Sequence, residues 1–224
     1  MITVREHFNQ IAGDYDGWKK KNWYYYKSLK DLYHNLIPEG TSVLEAGCGT
    51  GEILVFLKPS RGVGFDISEK MIALGKEKYK DYKNISFYAG TAETLDLNEK
   101  FDFIFLSDVI EHLDDVNSSL ATLKKFCHEN TKVIISMINP LWEVPFMVLE
   151  KLNLKMPEGP HNRISIKKLK QILSSNDFRV FQEDFRVILP FYLPFVSKFL
   201  NKYFFRIPLV KKIGLIYFCV AHLK

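Results

Sequence analysis

The chain has 224 residues, 47% of them apolar and 14% aromatic, and 31 Lys and Arg against 26 Asp and Glu give a formal net charge of +5. That length and apolar content fill the core of one large α/β domain, with or without a small appendage, and the charge permits an anionic partner without requiring one. Three cysteines, Cys48, Cys127 and Cys219, are odd in number and lack metal-site spacing, so they read as free thiols of a reducing, cytoplasmic setting; the first residues carry no apolar signal-peptide core, and no run approaches the ~18–20 apolar residues that cross a bilayer.

Residues 1–37 read as helical and aromatic. Phe8, Ile11, Ala12 and Tyr15 recur at helical spacing, Asp14-Tyr15-Asp16-Gly17 is expected to break that helix, and a second helix spans 24–36 with Leu29, Leu32, Tyr33 and Leu36 on one side. Pro38-Glu39-Gly40 stops it. Strands and helices then alternate: strand 41–46, helix 51–57, strand 61–65, helix 68–79 capped by Ser68, strands 85–89 and 101–106, helix 116–126 and strand 132–137. The 101–106 run is apolar apart from Asp102, as expected for a strand covered on both faces. Beyond Asn139-Pro140 the pattern loosens into an aromatic, proline-containing stretch to Pro160. A helix at 165–174, a strand at 178–187, an apolar and basic insertion at 189–212 and a last strand at 215–221 follow. The expected fold is α/β: a Rossmann-like, seven-stranded, mostly parallel sheet with helices on both faces and an antiparallel final strand. It forms a single domain with a helical lid (1–37), a cofactor-binding core (38–137) and a substrate-side half (138–224).

A strand that runs into Gly47, Gly49 and Gly51 and then into a helix is a nucleotide-binding layout, since glycines let the backbone approach a ligand and the helix N-terminus presents free N–H groups. The alternative for the loop alone is a tight strand-to-helix turn with no ligand. Asp66, at the end of the second strand, stands 19 residues past Gly47 (66 − 47). A carboxylate there can accept both hydroxyls of a ribose, or cap the next helix together with Ser68. The third glycine falls one position early for Gly-x-Gly-x-x-Gly, and Glu45, two residues before Gly47, would repel a pyrophosphate. The pattern suits a nucleoside that carries a positive group.

Four motifs in order carry a resemblance: Glu45-Ala46-Gly47-Cys48-Gly49-Thr50-Gly51, Gly64-Phe65-Asp66-Ile67-Ser68, Gly90-Thr91-Ala92-Glu93, and the run from Phe101 to Leu113 with Ser107-Asp108 and Glu111-His112 inside it. Together they resemble the class I S-adenosylmethionine-dependent methyltransferases, in particular the branch that holds the ubiquinone and menaquinone enzymes. The resemblance implies S-adenosylmethionine as methyl donor, S-adenosylhomocysteine as product, and methyl transfer to oxygen or carbon of a small or lipid-like acceptor. It implies that Gly47, Gly49 and Gly51 pack on the methionyl part and ribose, that Glu45 orients the loop or binds the amino group, and that Asp66 holds the ribose hydroxyls. Ile67, Thr91 and Ala92 would flank the adenine, although relatives often carry Asp where Thr91 stands. Ser107 would sit beside the methionyl group, and Tyr15, in a Tyr-Asp pair, would cover the cofactor. Cys48 and Met71 belong to the same set.

Methyl transfer needs alignment of nucleophile, carbon and sulfur, and a general base only where the nucleophile is protonated. The candidates are His112, as base or as a structural histidine bonding a loop carbonyl, and His161 in Gly159-Pro160-His161-Asn162-Arg163, as a substrate contact or a loop-packing residue. Asp108, Glu111 and His112 also resemble an acid-acid-His cluster of the ubiquinone O-methyltransferases for which a divalent metal has been proposed; they read here as helix-capping and solvent-facing groups, so no metal is expected.

Ser107-Asp108-Val109-Ile110 is not the Asn-Pro-Pro-Tyr type of loop, which argues against an exocyclic base amine as acceptor. The basic Lys19-Lys20-Lys21 run among Trp18, Trp23 and Tyr24 to Tyr26 suits either nucleic acid or a helical lid; the lid is preferred, and nucleic acid is not expected. An RNA or protein methyltransferase, or a non-catalytic partner subunit, are the alternatives. Between Pro194 and Arg206, Phe195, Val196, Phe199, Leu200, Tyr203 and Phe204 recur at helical spacing opposite Ser197, Lys198, Asn201 and Lys202. That is the pattern of a helix in a membrane interface, or of an apolar roof over the substrate pocket.

Overall fold

The computed structural model describes residues 2–162, 164–203 and 207–224. Two helices lead the chain. The first, α1 (Val4–Lys21), starts at a capping box in which Thr3 and Glu6 satisfy each other's backbone N–H groups. It runs on through Asp14-Tyr15-Asp16-Gly17, where the sequence predicts a break. The two mid-helix glycines, Gly13 and Gly17, cost about 1 kcal/mol each, and Tyr15 and Asp16 both find partners on the glycine loop that reward the continuous helix. The second, α2 (Trp23–Leu36), buries Leu29, Leu32 and Tyr33.

Seven strands follow: β1 (Ser42–Ala46), β2 (Arg61–Asp66), β3 (Ile85–Ala89), β4 (Phe101–Ser107), β5 (Cys127–Ile138), β6 (Phe178–Arg186) and β7 (Ile216–Leu223). They form one sheet in the order β3-β2-β1-β4-β5-β7-β6. Neighbours from β3 to β5 are parallel, and β7 runs antiparallel to both β5 and β6. Successive strand residues point to opposite faces, and the two cores follow from that. Leu44, Ala46, Ile104 and Leu106 pack on one side with α5 (Val116–Leu123) and α7 (Ile166–Ser175). Val43, Phe103 and Phe105 pack on the other with α2, α3 (Glu52–Phe56) and Phe146 of α6 (Glu143–Lys151). After β2, Ser68 accepts the Met71 N–H and caps α4 (Glu69–Lys78), as its sequence position predicts.

Three stretches differ from the sequence reading. β5 begins at Cys127 rather than at 132, because Thr131 bonds the Phe101 carbonyl and holds the early residues beside β4 across a register shift. The proline-containing stretch after Asn139 contains α6. Pro145 lies in the first turn of α6, where a missing N–H costs nothing. The insertion forms α8 (Val196–Tyr203) and the short α9 (Pro208–Lys211). In α8 the polar side faces inward: Ser197 is fully buried and bonds the Phe191 carbonyl at 2.6 Å, and Asn201 bonds the backbone of Ile188 and Leu189. Its aromatic side faces outward, with Phe195 89% and Phe199 54% exposed. Phe195, Val196, Phe199 and Tyr203 thus present an apolar face to solvent instead of roofing the pocket. Arg163, Phe204, Arg206 and the side chains of Lys198 and Lys202 lie outside the described residues.

Candidate active site

The strand order reverses between β1 and β4, and a cavity of about 490 Å3 opens over the carboxyl ends of the strands there. Its floor is the loop after β1. Gly47 and Gly49 take left-handed φ values of 70° and 53°, and a Cβ on Gly47 would lie 2.4 Å from Val109. A Cβ on Gly49 would come within 3.1 Å of the Tyr15 ring, so α1 lies directly on the loop. Asp16 fastens that contact, accepting from Thr50 at 2.9 Å and from Lys78 at 2.7 Å. Gly51 is different. It does not line the cavity; it caps α3 with φ 79°, and a Cβ there would lie 2.3 Å from Phe87 of β3. Its glycine is required by strand packing, not by approach to a ligand.

Of the sequence-predicted cofactor residues, Tyr15, Glu45, Gly47, Cys48, Gly49, Asp66, Ile67, Met71, Thr91, Ala92 and Ser107 all line this one cavity. Asp66 accepts the Gly49 N–H at 2.8 Å through one oxygen and the Ser68 N–H at 2.9 Å through the other. Each oxygen keeps a free lone pair for a ligand donor. Burial raises its carboxyl above the ordinary range against the pull of those two N–H groups. Glu45 is buried on β1 and accepts the Leu54 N–H at 3.1 Å; burial pushes its carboxyl up to about 8, with Lys19 opposing. The Thr91 N–H is already held by Thr94 Oγ1 at 2.9 Å.

Lys19 is the residue that sequence reasoning placed elsewhere. It is 8% exposed, lines the cavity, and its ammonium sits 4.6 Å from the Tyr15 ring centroid and 3.6 Å from Glu52. The signal was its position four residues after Tyr15, on the same helical face; the basic run around it hid that. Lys21 donates to the Asn153 carbonyl. The sequence also gave no sign that Tyr33 reaches across the core to the Leu106 carbonyl and Ser136, both at 2.9 Å.

The cavity continues past Ser107 into a second half walled by Phe8, Phe146, Leu149, Leu154, Met156 and Phe191. Polar groups gather at one point of it. Asp108, with φ 53°, accepts from Tyr25 and from Ser136. Burial raises the carboxyls of Asp108 and Glu111, and their proximity raises Glu111 further. His112 lines this half, but its Nδ1 is paired with the Pro160 carbonyl at 3.0 Å, and burial lowers its pKa. His161 is exposed, bonds the Gly159 carbonyl at 3.0 Å, and lines a small neighbouring cavity instead. The two histidine rings are 6.3 Å apart. The Pro160 contact is the carbonyl bond of one of its two sequence readings, and it engages one ring nitrogen of His112. Among the described residues no three Asp, Glu, His or Cys side chains come together as a metal site.

The chain belongs to the methyltransferase-domain family, whose model matches residues 21–183. It is an S-adenosylmethionine-dependent methyltransferase. A ubiquinone biosynthesis O-methyltransferase of Bartonella quintana is 28% identical over 160 residues, covering 66% of this chain and 65% of the relative. A malonyl-[acyl-carrier protein] O-methyltransferase of Ilyobacter polytropus is 26% identical over 206 residues, covering 88% and 72%. Among solved structures, a SAM-dependent methyltransferase from Thermotoga maritima superposes with a TM-score of 0.74 at 19% identity, over 97% of this chain and 98% of that one, and shares the fold. Among the described residues no helix is long and apolar enough to cross a membrane.

Proposed function

We propose that the enzyme methylates an oxygen or carbon atom of a small, lipid-like acceptor. The observation that supports this most is the apolar half-cavity that adjoins Ser107 and opens beside Leu154 and Phe191, both exposed. In this reading Asp66 accepts the ribose diol, Ile67 and Ala92 flank the adenine, and the glycine loop lies under the methionyl chain. Glu45 and Lys19, both buried, meet its ammonium and its carboxylate respectively. The cofactor supplies a methyl group already activated on a sulfonium; the chain supplies alignment and exclusion of water, with Tyr15 closing the loop side. Isothermal titration with S-adenosylhomocysteine tests the cofactor contacts: wild type binds and Asp66→Ala loses most of its affinity. Full binding by that variant sinks the assignment.

The same reading places the acceptor at a lipid surface. The outward face of α8 is continuous in sequence with Phe191, Tyr192 and Leu193, all exposed. Residues 189–214 carry five Lys and Arg and no Asp or Glu, so the whole formal excess of +5 resides there. An apolar face within a basic segment suits the interface of an anionic membrane. α6 adds Val144, Met147 and Val148, also exposed, behind the same cavity wall. Co-sedimentation with phosphatidylglycerol-containing vesicles is expected for wild type and reduced for Phe195→Ser with Phe199→Ser; equal pelleting refutes the membrane part and leaves the cofactor part standing.

A further inference from the structure

We infer that Glu111 is the general base of this site and that the acceptor offers it a hydroxyl proton, as a phenol or enol does. The inference rests on the reading of the cavity above as a methyltransferase site. It is carried by the partners of the titratable groups in the acceptor half. The titratable groups that face this half have a partner on at least one atom each, and Glu143 of α6 shares a small neighbouring cavity with Glu111. On the turn after β4, Asp108 has one oxygen on Tyr25 and the other on Ser136. On the 155–161 loop, Glu158 is paired with Lys155, and His161 bonds Gly159. On α1, His7 bonds the Pro157 carbonyl at 3.1 Å. His112 bonds the Pro160 carbonyl.

Glu111 differs from them in one oxygen: the backbone N–H groups of Glu111 and Ile138 pull its carboxyl down, but Oε2 is not held. The residue sits on the short helical turn Ile110–His112, four residues beyond Ser107, and lines the cavity. Its Oε2 is buried and has no hydrogen-bond partner among the described residues. A buried carboxyl oxygen left unpaired costs about 1–3 kcal/mol, so its retention beside a reacting centre calls for a donor that arrives with the ligand. Burial and the neighbouring Asp108 hold the proton on Glu111 at rest. A sulfonium placed beside Ser107 brings a positive charge into the same dry space and favours the ionised form. The acceptor oxygen then takes the methyl carbon, the carbon–sulfur bond breaks with its electron pair left on sulfur, and the hydroxyl proton passes to the Glu111 carboxylate. A cation and a carboxylate are consumed together, and a neutral thioether, a carboxylic acid and a methyl ether remain. A carboxyl with a raised pKa is better matched to a phenol than an ordinary one.

Two measurements test this. Titration calorimetry in two buffers of different ionisation heat gives the protons released on binding. S-adenosylmethionine carries the sulfonium and S-adenosylhomocysteine does not, while both carry the ammonium that faces Glu45. Near pH 7, wild type is expected to release more protons with the first than with the second, and Glu111→Gln is expected to abolish that difference while keeping its S-adenosylhomocysteine affinity. The second measurement is methylation of dodecyl gallate, with dodecylamine as the amine control. Wild type is expected to methylate the gallate, and Glu111→Gln to do so at least about 100-fold more slowly, the usual size of a lost general base. A proton difference that survives in Glu111→Gln, a gallate rate within about threefold of wild type (under 1 kcal/mol), or a wild type that leaves the gallate unmethylated overturns the inference. Failure of wild type to bind S-adenosylhomocysteine at all is the separate failure of the cofactor reading.

Discussion

The two halves of the cavity are built on opposite principles. In and beside the cofactor half the carboxylates are fixed by neighbours close by: Asp66 by Gly49 and Ser68, Glu45 by Leu54, Asp16 by Thr50 and Lys78. Its glycines sit in left-handed conformations with no room for a Cβ. Around the acceptor half, α6 and α8 turn large apolar side chains to solvent, and α8, which does not line the cavity, is anchored by a few inward polar contacts, Ser197 and Asn201 among them. A rigid, hydrogen-bonded half suits one invariant nucleoside ligand. A half held by sparse contacts and rich in exposed aliphatic surface suits a ligand recognised by size and apolarity.

If this contrast holds, substitutions should be severe in the first half and mild in the second. The largest expected effect is on Asp66→Ala, which leaves two backbone N–H groups without their acceptor and removes the diol partner. S-adenosylhomocysteine affinity should fall by about 100-fold or more, roughly 3 kcal/mol, by calorimetry. Gly51→Ala comes next: its φ of 79° and the 2.3 Å approach to Phe87 are expected to cost about 2–3 kcal/mol of unfolding free energy in urea. Because Gly51 does not line the cavity, cofactor affinity measured on the folded fraction should stay within a few-fold, which separates it from Gly47 and Gly49. Lys19→Met keeps the packing of the stem and removes the charge; a loss of about tenfold in cofactor affinity, near 1.4 kcal/mol, is expected if its ammonium meets the ligand carboxylate.

A smaller effect concerns pH. The folded-state pKa of Glu45, about 8, lies above its ordinary 4.5, so the native state binds more protons than the unfolded chain across that interval. The stability contributed by its protonated form is complete below 4.5 and is lost as pH rises through 8. The melting temperature of the cofactor-free protein should therefore fall across that window, by roughly 3–6 °C for a change of 1–2 kcal/mol, and Glu45→Gln should flatten the slope. The smallest effect is on Phe195→Ser, with Phe195 89% exposed: within about 0.5 kcal/mol of wild type in stability. If Phe195→Ser destabilises as much as Gly51→Ala, the contrast between the two halves is wrong.

The same division runs through what could be read from the sequence. The glycine loop, the Ser68 cap, Asp66 and the run of parallel strands depend on residues a few positions apart or on short apolar runs, and all were legible. The burial of Lys19, the capture of His112 by Pro160 and the contact of Tyr33 with Leu106 and Ser136 depend on partners 48 or more residues away or on a helix packed from another part of the chain. α6 was missed because Pro145 reads as a breaker until its place in the first turn is known.

The residues at the strand ends determined, without any coordinates, the class of fold and the cavity proposed for the cofactor, because a parallel sheet with a glycine turn after its first strand leaves few other arrangements. Tertiary structure alone decided three things: that Gly51 packs on Phe87 outside the cavity, that α8 shows its aromatic face to solvent, and that one carboxyl oxygen of Glu111 is buried without a hydrogen-bond partner among the described residues. Each turns on which distant surface a side chain meets, and periodicity within a segment fixes only that a helix has two faces, not which one the rest of the molecule covers.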